Sequence, residues 1–264
     1  MRNAVIGLAV VCALAVILSA IVWRRARTPV PKEKSPVSPA SSDSSREGVD
    51  AFFPFRVGSR WIYLVRGEQQ EGSGRKGRTE SGQGKYSDEV TSVRAISPDV
   101  RLVELVRHGI APGYAFCSAD ERQSGQWRFW YVVMGRKIFS RCSQEDAAAL
   151  VSTHSQSPAP EDAGDDPEFL LPFKVGASWG PDPSAPKRED KFYQWNVDAK
   201  VDVTVPAGSF RDCYELSFKT LPDDEERWIC AGVDLIADEY THHGTTDHYR
   251  IELQSFTSGP EQAK

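Results

Sequence analysis

Few side chains in this sequence stand at spacings that do chemistry. His242, His243 and His248, with Asp238, Glu239 and Asp247 beside them, form its one metal-like cluster. Zinc takes three or four ligands, with imidazole nitrogens at about 2.0–2.1 Å, and a zinc ion there could serve a hydrolase. Adjacent strand residues face opposite ways, so His242 and His243 could converge with His248 only on a hairpin turn. Residues 244–247 (GTTD) read as such a turn. A solvated hairpin tip is the preferred reading, and no metal or other cofactor is expected. Residues 72–77 (GSGRKG) match G-x-G-x-x-G, but RTESGQGKYSDE follows, without the apolar stripe of a dinucleotide-binding helix. Residues 84–86 (GKY) are no phosphate loop, because Tyr86 stands where Ser or Thr is needed and Thr79 where the first Gly belongs. Motifs of the types G-x-S-x-G, C-x-x-C and H-E-x-x-H are absent. The carboxylate runs 161–166 and 223–226 fall in expected linkers or turns, where charge is usually solvated. No catalytic residue is assigned, and the chain reads as a non-enzyme.

The elements that would carry these residues begin with residues 4–23, twenty residues without charge or proline. At 1.5 Å per residue they span about 30 Å, the thickness of a bilayer core, which is long for a signal peptide. An uncleaved transmembrane anchor over 1–27 is expected, with Cys12 as an apolar residue inside it. Arg24, Arg25, Arg27, Lys32 and Lys34 follow it, which by the positive-inside rule puts the body in the cytoplasm. Four cysteines in the body, Cys117, Cys142, Cys213 and Cys230, suit disulfides and point outward. Residues 28–50 are Pro/Ser-rich with few large apolar side chains, a disordered spacer. Residues 1–47 hold 7 Lys/Arg against 3 Asp/Glu, leaving the remainder with 25 against 34, a net −9. An acidic body excludes a nucleic-acid surface. With 40% hydrophobic and 26% charged residues, the 264-residue chain is neither collagen, coiled coil nor wholly disordered.

An internal echo is the strongest pattern. PFRVGSRW at 54–61 recurs as PFKVGASW at 172–179. Pro54 or Pro172 stiffens the approach, Gly58 or Gly176 permits a turn with positive φ, and Trp61 or Trp179 anchors the next segment in a core. Two β subdomains, 51–154 and 169–258, are therefore expected, with a linker at 155–168 and a tail at 259–264. In the first, strand begins at Trp61, residues 67–85 read as a long exposed hairpin loop, and 90–107 and 113–118 read as strands. Residues 127–133 and 137–142 form a hairpin about Gly135, with Trp127, Phe129 and Tyr131 on one face and Phe139 near them. Residues 143–146 (SQED) fit a capping box opening a short helix through Val151. In the second, residues 197–205 alternate strictly, Pro206-Ala-Gly208 turns the chain, and Tyr214, Leu216 and Phe218 share a face. Tyr249, Ile251 and Leu253 mark the last strand. The fold is mainly β, an antiparallel meander or curved sheet. A turn near 221–224 sets Cys213 nearly opposite Cys230, so these two should bridge, leaving Cys117 and Cys142 to pair by elimination.

PFRVGSRW, LLPFKVGASW, VTVPAGSF (with Pro206, Gly208 and Phe210) and WICAGVDLI together resemble the TapB-like type of exported bacterial proteins. The resemblance spans most of 52–256 and rests on turns and strand starts. Ala231 and Asp234 depart from it, standing where Pro and Gly are common. It implies an envelope location and a β-rich, lipoprotein-carrier-like curved sheet, and it implies no reaction. The expectation is a non-catalytic domain tethered through residues 4–23 on the periplasmic side, binding a lipid, lipoprotein or envelope protein. A structural scaffold of the envelope is the second reading, and a metal-dependent hydrolase at the histidine tip the third.

Overall fold

The computed structural model describes residues 48–71, 78–109, 125–156, 166–180, 191–244 and 247–260. Residues 4–23, most of the spacer, the 72–77 motif, residues 113–118 with Cys117, and most of the 155–168 linker lie outside the described residues. Among the described residues, no helix is long and apolar enough to cross a membrane.

Helix α1 (Val49–Phe52) leads into strands β1 (Arg60–Glu71), β2 (Arg78–Ser97), β3 (Val100–Gly109), β4 (Gln126–Met134) and β5 (Lys137–Arg141). Helix α2 (Gln144–Gln156) precedes β6 (Phe169–Leu170). Strands β7 (Ser178–Trp179), β8 (Trp195–Val205), β9 (Gly208–Lys219), β10 (Asp223–Cys230), β11 (Asp234–His242) and β12 (Asp247–Thr257) complete the chain. All twelve strands belong to one antiparallel sheet in the order β6-β5-β4-β3-β2-β1-β12-β11-β10-β9-β8-β7. Each copy of the octapeptide thus launches a six-stranded meander, and β1 pairs with β12 to fuse the two. The outer strands β6 and β7 are two residues long and follow one another in sequence, so the sheet is a nearly closed barrel. Side chains bridge that seam, where the Trp179 indole N–H donates to the Pro167 carbonyl at 3.1 Å.

The two octapeptides make the same turn with the same hydrogen bonds. Gly58 and Gly176 take φ of 85° and 87°, in the left-handed region where a Cβ is disfavoured. The Gly58 N–H donates to the Val90 carbonyl at 2.8 Å, and the Val90 N–H returns to Ser59 at 2.9 Å. In the second copy Gly176 donates to Val197 at 2.8 Å and Val197 to Ala177 at 2.9 Å. The turn therefore sets the register of β2 in one half and β8 in the other. Beyond it the tryptophans are buried as expected. Trp61 stacks on Phe256 with centroids 5.3 Å apart and donates its indole N–H to the Val233 carbonyl. Trp179 stacks between Phe173 and Trp195 at 6.2 and 6.3 Å.

The hairpin about Gly135, the Pro206-Ala207 turn and the last strand form as expected. Ser143 caps α2, its Oγ accepting from the Asp146 N–H at 3.0 Å, but the helix runs past Val151 to Gln156. Cys213 and Cys230 are bridged, with Cα atoms 4.3 Å apart; Cys142 is also disulfide-bonded.

Several expectations need correction. The Gly- and charge-rich stretch 67–85 is largely strand, with Gly67 opposite Gly82 and Arg66 opposite Gln83. A Cβ at Gly67 would lie 2.6 Å from the His248 carbonyl oxygen, so glycine here permits close backbone approach. Residues 90–107 are two strands, divided by a turn at Pro98-Asp99. The spacer ends earlier than composition implies, because α1 begins at Val49, which is buried. Residues 49–55 run across the interior: Phe52 meets Phe173 and Tyr214 at 5.1 and 5.7 Å, Phe53 meets Phe169 at 4.9 Å, and Phe55 meets Tyr131 at 5.4 Å. The tail begins docked, the Gly259 N–H donating to Ser59 Oγ at 3.0 Å. Phe139 parts from the Trp127–Phe129–Tyr131 face and packs with Leu102, Val132, Met134 and Ala147 under α2.

Nothing lies within 4 Å of a Cβ built on Gly176. Gly176→Ala should therefore cost only its left-handed backbone, about 1–2 kcal/mol, whereas Trp61→Ala should cost about 3–5 kcal/mol. Urea denaturation checks both, and native stability in either variant would remove the repeat from its role as anchor.

Candidate functional site

The interior of the barrel is not wholly apolar. A cavity of about 270 Å³ lies between the two meanders, and Asp88, Arg107, Glu168, Arg227, Asp234 and Asp238 reach it from β2, β3, the approach to β6, β10 and β11. Hairpin register supplies the pairing. Asp88 on β2 stands opposite Arg107 on β3, and Arg227 on β10 opposite Asp238 on β11.

Arg107 donates to both Asp88 oxygens, from Nε at 2.5 Å and from Nη2 at 2.6 Å. Its guanidinium also lies over the rings of Tyr86 and Phe129, at 4.5 and 5.1 Å. Arg227 donates to Glu225 at 2.6 Å and to Glu168, and covers the Trp195 ring at 4.5 Å. Burial opposes the Arg107 charge, but the Asp88 carboxylate outweighs it and the pKa rises. Burial likewise opposes Arg227, and Glu225 and Glu168 outweigh it. Both guanidiniums are therefore firmly charged, and each already has carboxylate partners.

Two carboxyls are left over. Asp238 is only 6% exposed, and its Oδ1 accepts no hydrogen bond. Burial, then the neighbouring Glu225, pushes its pKa well up, against the pull of Arg227. Burial also drives the Asp234 carboxyl well up, with the Leu235 N–H drawing it down less strongly. Asp234 has φ of 84°, a backbone cost of order 1–3 kcal/mol for a residue with a Cβ. Aromatic rings complete the wall; Tyr63 stacks on Tyr86 with centroids 5.0 Å apart, and burial pushes both hydroxyls up.

The histidines lie elsewhere and take separate partners. His242 Nδ1 is 2.6 Å from Asp223, His243 Nε2 is 2.8 Å from Asp224, and His248 Nε2 is 4.0 Å from Glu239. Among the described residues no three His, Cys, Asp or Glu side chains are grouped to hold a metal ion. His248 Nδ1 also meets Thr241 Oγ1 at 3.1 Å on the exposed tip, while Glu239 is engaged by Arg250 at 2.5 Å. Residues 223–226 were expected to be a solvated turn; they open β10, and Glu225 turns inward onto Arg227.

No protein-family model matches this chain, and no curated protein does. Among solved structures it is similar to a candidate lipoprotein of Parabacteroides distasonis, with 16% identity and a TM-score of 0.39 over 78% of this chain and 99% of that one. It is similar also to a candidate exported protein with YmcC-like fold from Bacteroides fragilis, with 13% identity and a TM-score of 0.38 over 78% and 98%. A third is MucB, at 10% identity and a TM-score of 0.28, over 81% of this chain and 57% of that one. At these scores none of the likenesses assigns an activity to this chain.

The Asp238 carboxyl holds its proton to higher pH in the folded state than its unfolded value of about 3.9. Its contribution to stability is thus full below about pH 4 and lost as pH rises through the folded value. Asp238→Asn should be stabilised relative to the native protein as pH rises from about 4, by up to about 1.4 kcal/mol per pH unit. Chemical denaturation at a series of pH values checks this, and a difference independent of pH would contradict it.

Proposed function

We propose that this chain is a non-catalytic binding module of the bacterial envelope, tethered by residues 4–23 and similar to the TapB-like proteins, whose ligand occupies the interior cavity. The observation that carries this reading is the cavity itself, walled by aromatic rings and charged groups, with a buried carboxyl oxygen at Asp238 that no protein group satisfies. Burying a polar group without a partner is costly, and a ligand that supplies the missing bond offsets that cost. The Cys213–Cys230 bridge and the bonded Cys142 support an oxidising compartment outside the cytoplasm.

The lining discriminates among the expected ligands. An acyl chain placed against Asp88, Arg107, Glu168 and Arg227 would strip charged groups of water and return no hydrogen bond. A lipid would therefore be held by its polar head, and a small polar molecule fits equally. Partner capture by strand addition has little to work with, since β6 and β7 offer two residues each.

Native mass spectrometry of the full chain, extracted unreduced from its own membrane in mild detergent, tests this reading. The expected spectrum carries a ligand mass lost on denaturation, and a protein mass short of two hydrogens for each disulfide. A bare, fully reduced chain would contradict it.

A further inference from the structure

We propose that the cavity ligand carries a primary ammonium group, which docks against the Asp238 carboxylate beside Asp234. The inference deepens the proposed function and rests on it. It starts from a charge count. Four carboxyl groups line the cavity, Asp88, Glu168, Asp234 and Asp238, against the two guanidiniums of Arg107 and Arg227. Both guanidiniums are already engaged, Arg107 by both oxygens of Asp88 and Arg227 by Glu225 and Glu168. An anionic ligand would have to displace these carboxylates. A cation needs only the two acids left over.

Asp238 is the second, independent observation. It is more than nine-tenths buried, it lines the cavity, and its Oδ1 has no hydrogen-bond partner. An ammonium brings three donors and a charge, and so satisfies that oxygen and permits ionisation in one step. Tyr63, Tyr86 and Tyr131 stand in the same wall with Trp61 and Phe129, and aromatic faces favour a cation within about 6 Å. Asp234 supports the reading by its backbone. Its φ of 84° favours glycine, yet the carboxyl-bearing residue is held there facing the cavity.

The charged groups around Asp238 fix what binding does to protons. Glu225 and Arg227 face it from β10, Glu168 from the approach to β6, and Arg107 from β3, with Asp234 on its own strand. Without a ligand, burial and then the neighbouring Glu225 hold the Asp238 proton to higher pH than an exposed carboxyl would. Docking of an ammonium favours the carboxylate, and any proton that Asp238 still carries at that pH passes to the buffer.

Isothermal titration of the full chain in detergent, with benzylamine, benzyl alcohol and benzoate as probes, tests the proposal. Benzylamine should bind more tightly than either analogue and, in buffers of different ionisation enthalpy, release protons over the pH range in which free Asp238 is protonated. Asp238→Asn, which keeps the shape, should weaken benzylamine at least about tenfold and abolish proton release while leaving benzyl alcohol unchanged. Vesicles of phosphatidylethanolamine in phosphatidylglycerol should compete with benzylamine if the native ammonium sits on a lipid head; failure to compete assigns it to a free amine. Equal binding of all three probes, or preference for benzoate, overturns the ammonium and leaves the cavity as a binding site. Failure of every probe overturns the ammonium as well, and together with a bare mass in the native spectrum it overturns the binding module.

Discussion

Two six-stranded meanders enclose one interior because β1 and β12 exchange backbone hydrogen bonds from the Arg60–Thr257 pair to the Glu68–His248 pair. Among the described residues no other strand pair joins the halves. Each meander alone would be a one-sided sheet with its aromatic face in water, and the β1–β12 ladder turns those faces toward each other. Residues 49–55 then lie across the enclosed space and tie β4, β6 and β9 together through tilted aromatic contacts of Phe52, Phe53 and Phe55. The described chain thus enters its own core at Val49.

An interior formed this way could have been filled with aliphatic side chains. Instead it holds two guanidiniums and their carboxylate partners, and buried ion pairs are weak evidence of stability. Replacing them with well-packed apolar residues is often neutral or stabilising. Their retention alongside two unneutralised carboxyls fits a chamber kept polar for a ligand. Asp234 adds to this, since a left-handed backbone carrying a half-buried acid costs stability both through φ and through desolvation.

Turns and anchors were the legible part of the fold. The repeated octapeptide is readable because a glycine that must take positive φ and a tryptophan that must be buried leave few alternatives, and both copies make the same bonds. The Cys213–Cys230 bridge followed from one hairpin turn. The chamber was not legible. Asp88 faces Arg107 only once the turn at Pro98-Asp99 divides 90–107 into two strands, a division that Ser97-Pro98-Asp99 signals but that the strand reading of 90–107 does not place. Asp238 is grouped with the histidine tip and Arg227 draws no reading, because alternation does not say which face of a strand lies inside a curved sheet. The signal that could have found them is cross-strand: opposite charges fall directly opposite in two hairpins, β2–β3 and β10–β11. The histidine tip drew attention by residue type alone, and each ring there is held by a different carboxylate.

The barrel interior holds surplus carboxyls that keep their protons to higher pH than exposed ones. Carbon-13 NMR of the aspartate side chains, followed from pH 3 to pH 9 in the ligand-free protein, measures this directly. The account predicts that Asp234 and Asp238 keep their protons well above the usual carboxylate range, with Asp238 responding when an amine is added. Titration of both residues near the unperturbed value of about 3.9 would contradict it, and the interior would then be an ordinary solvated hollow.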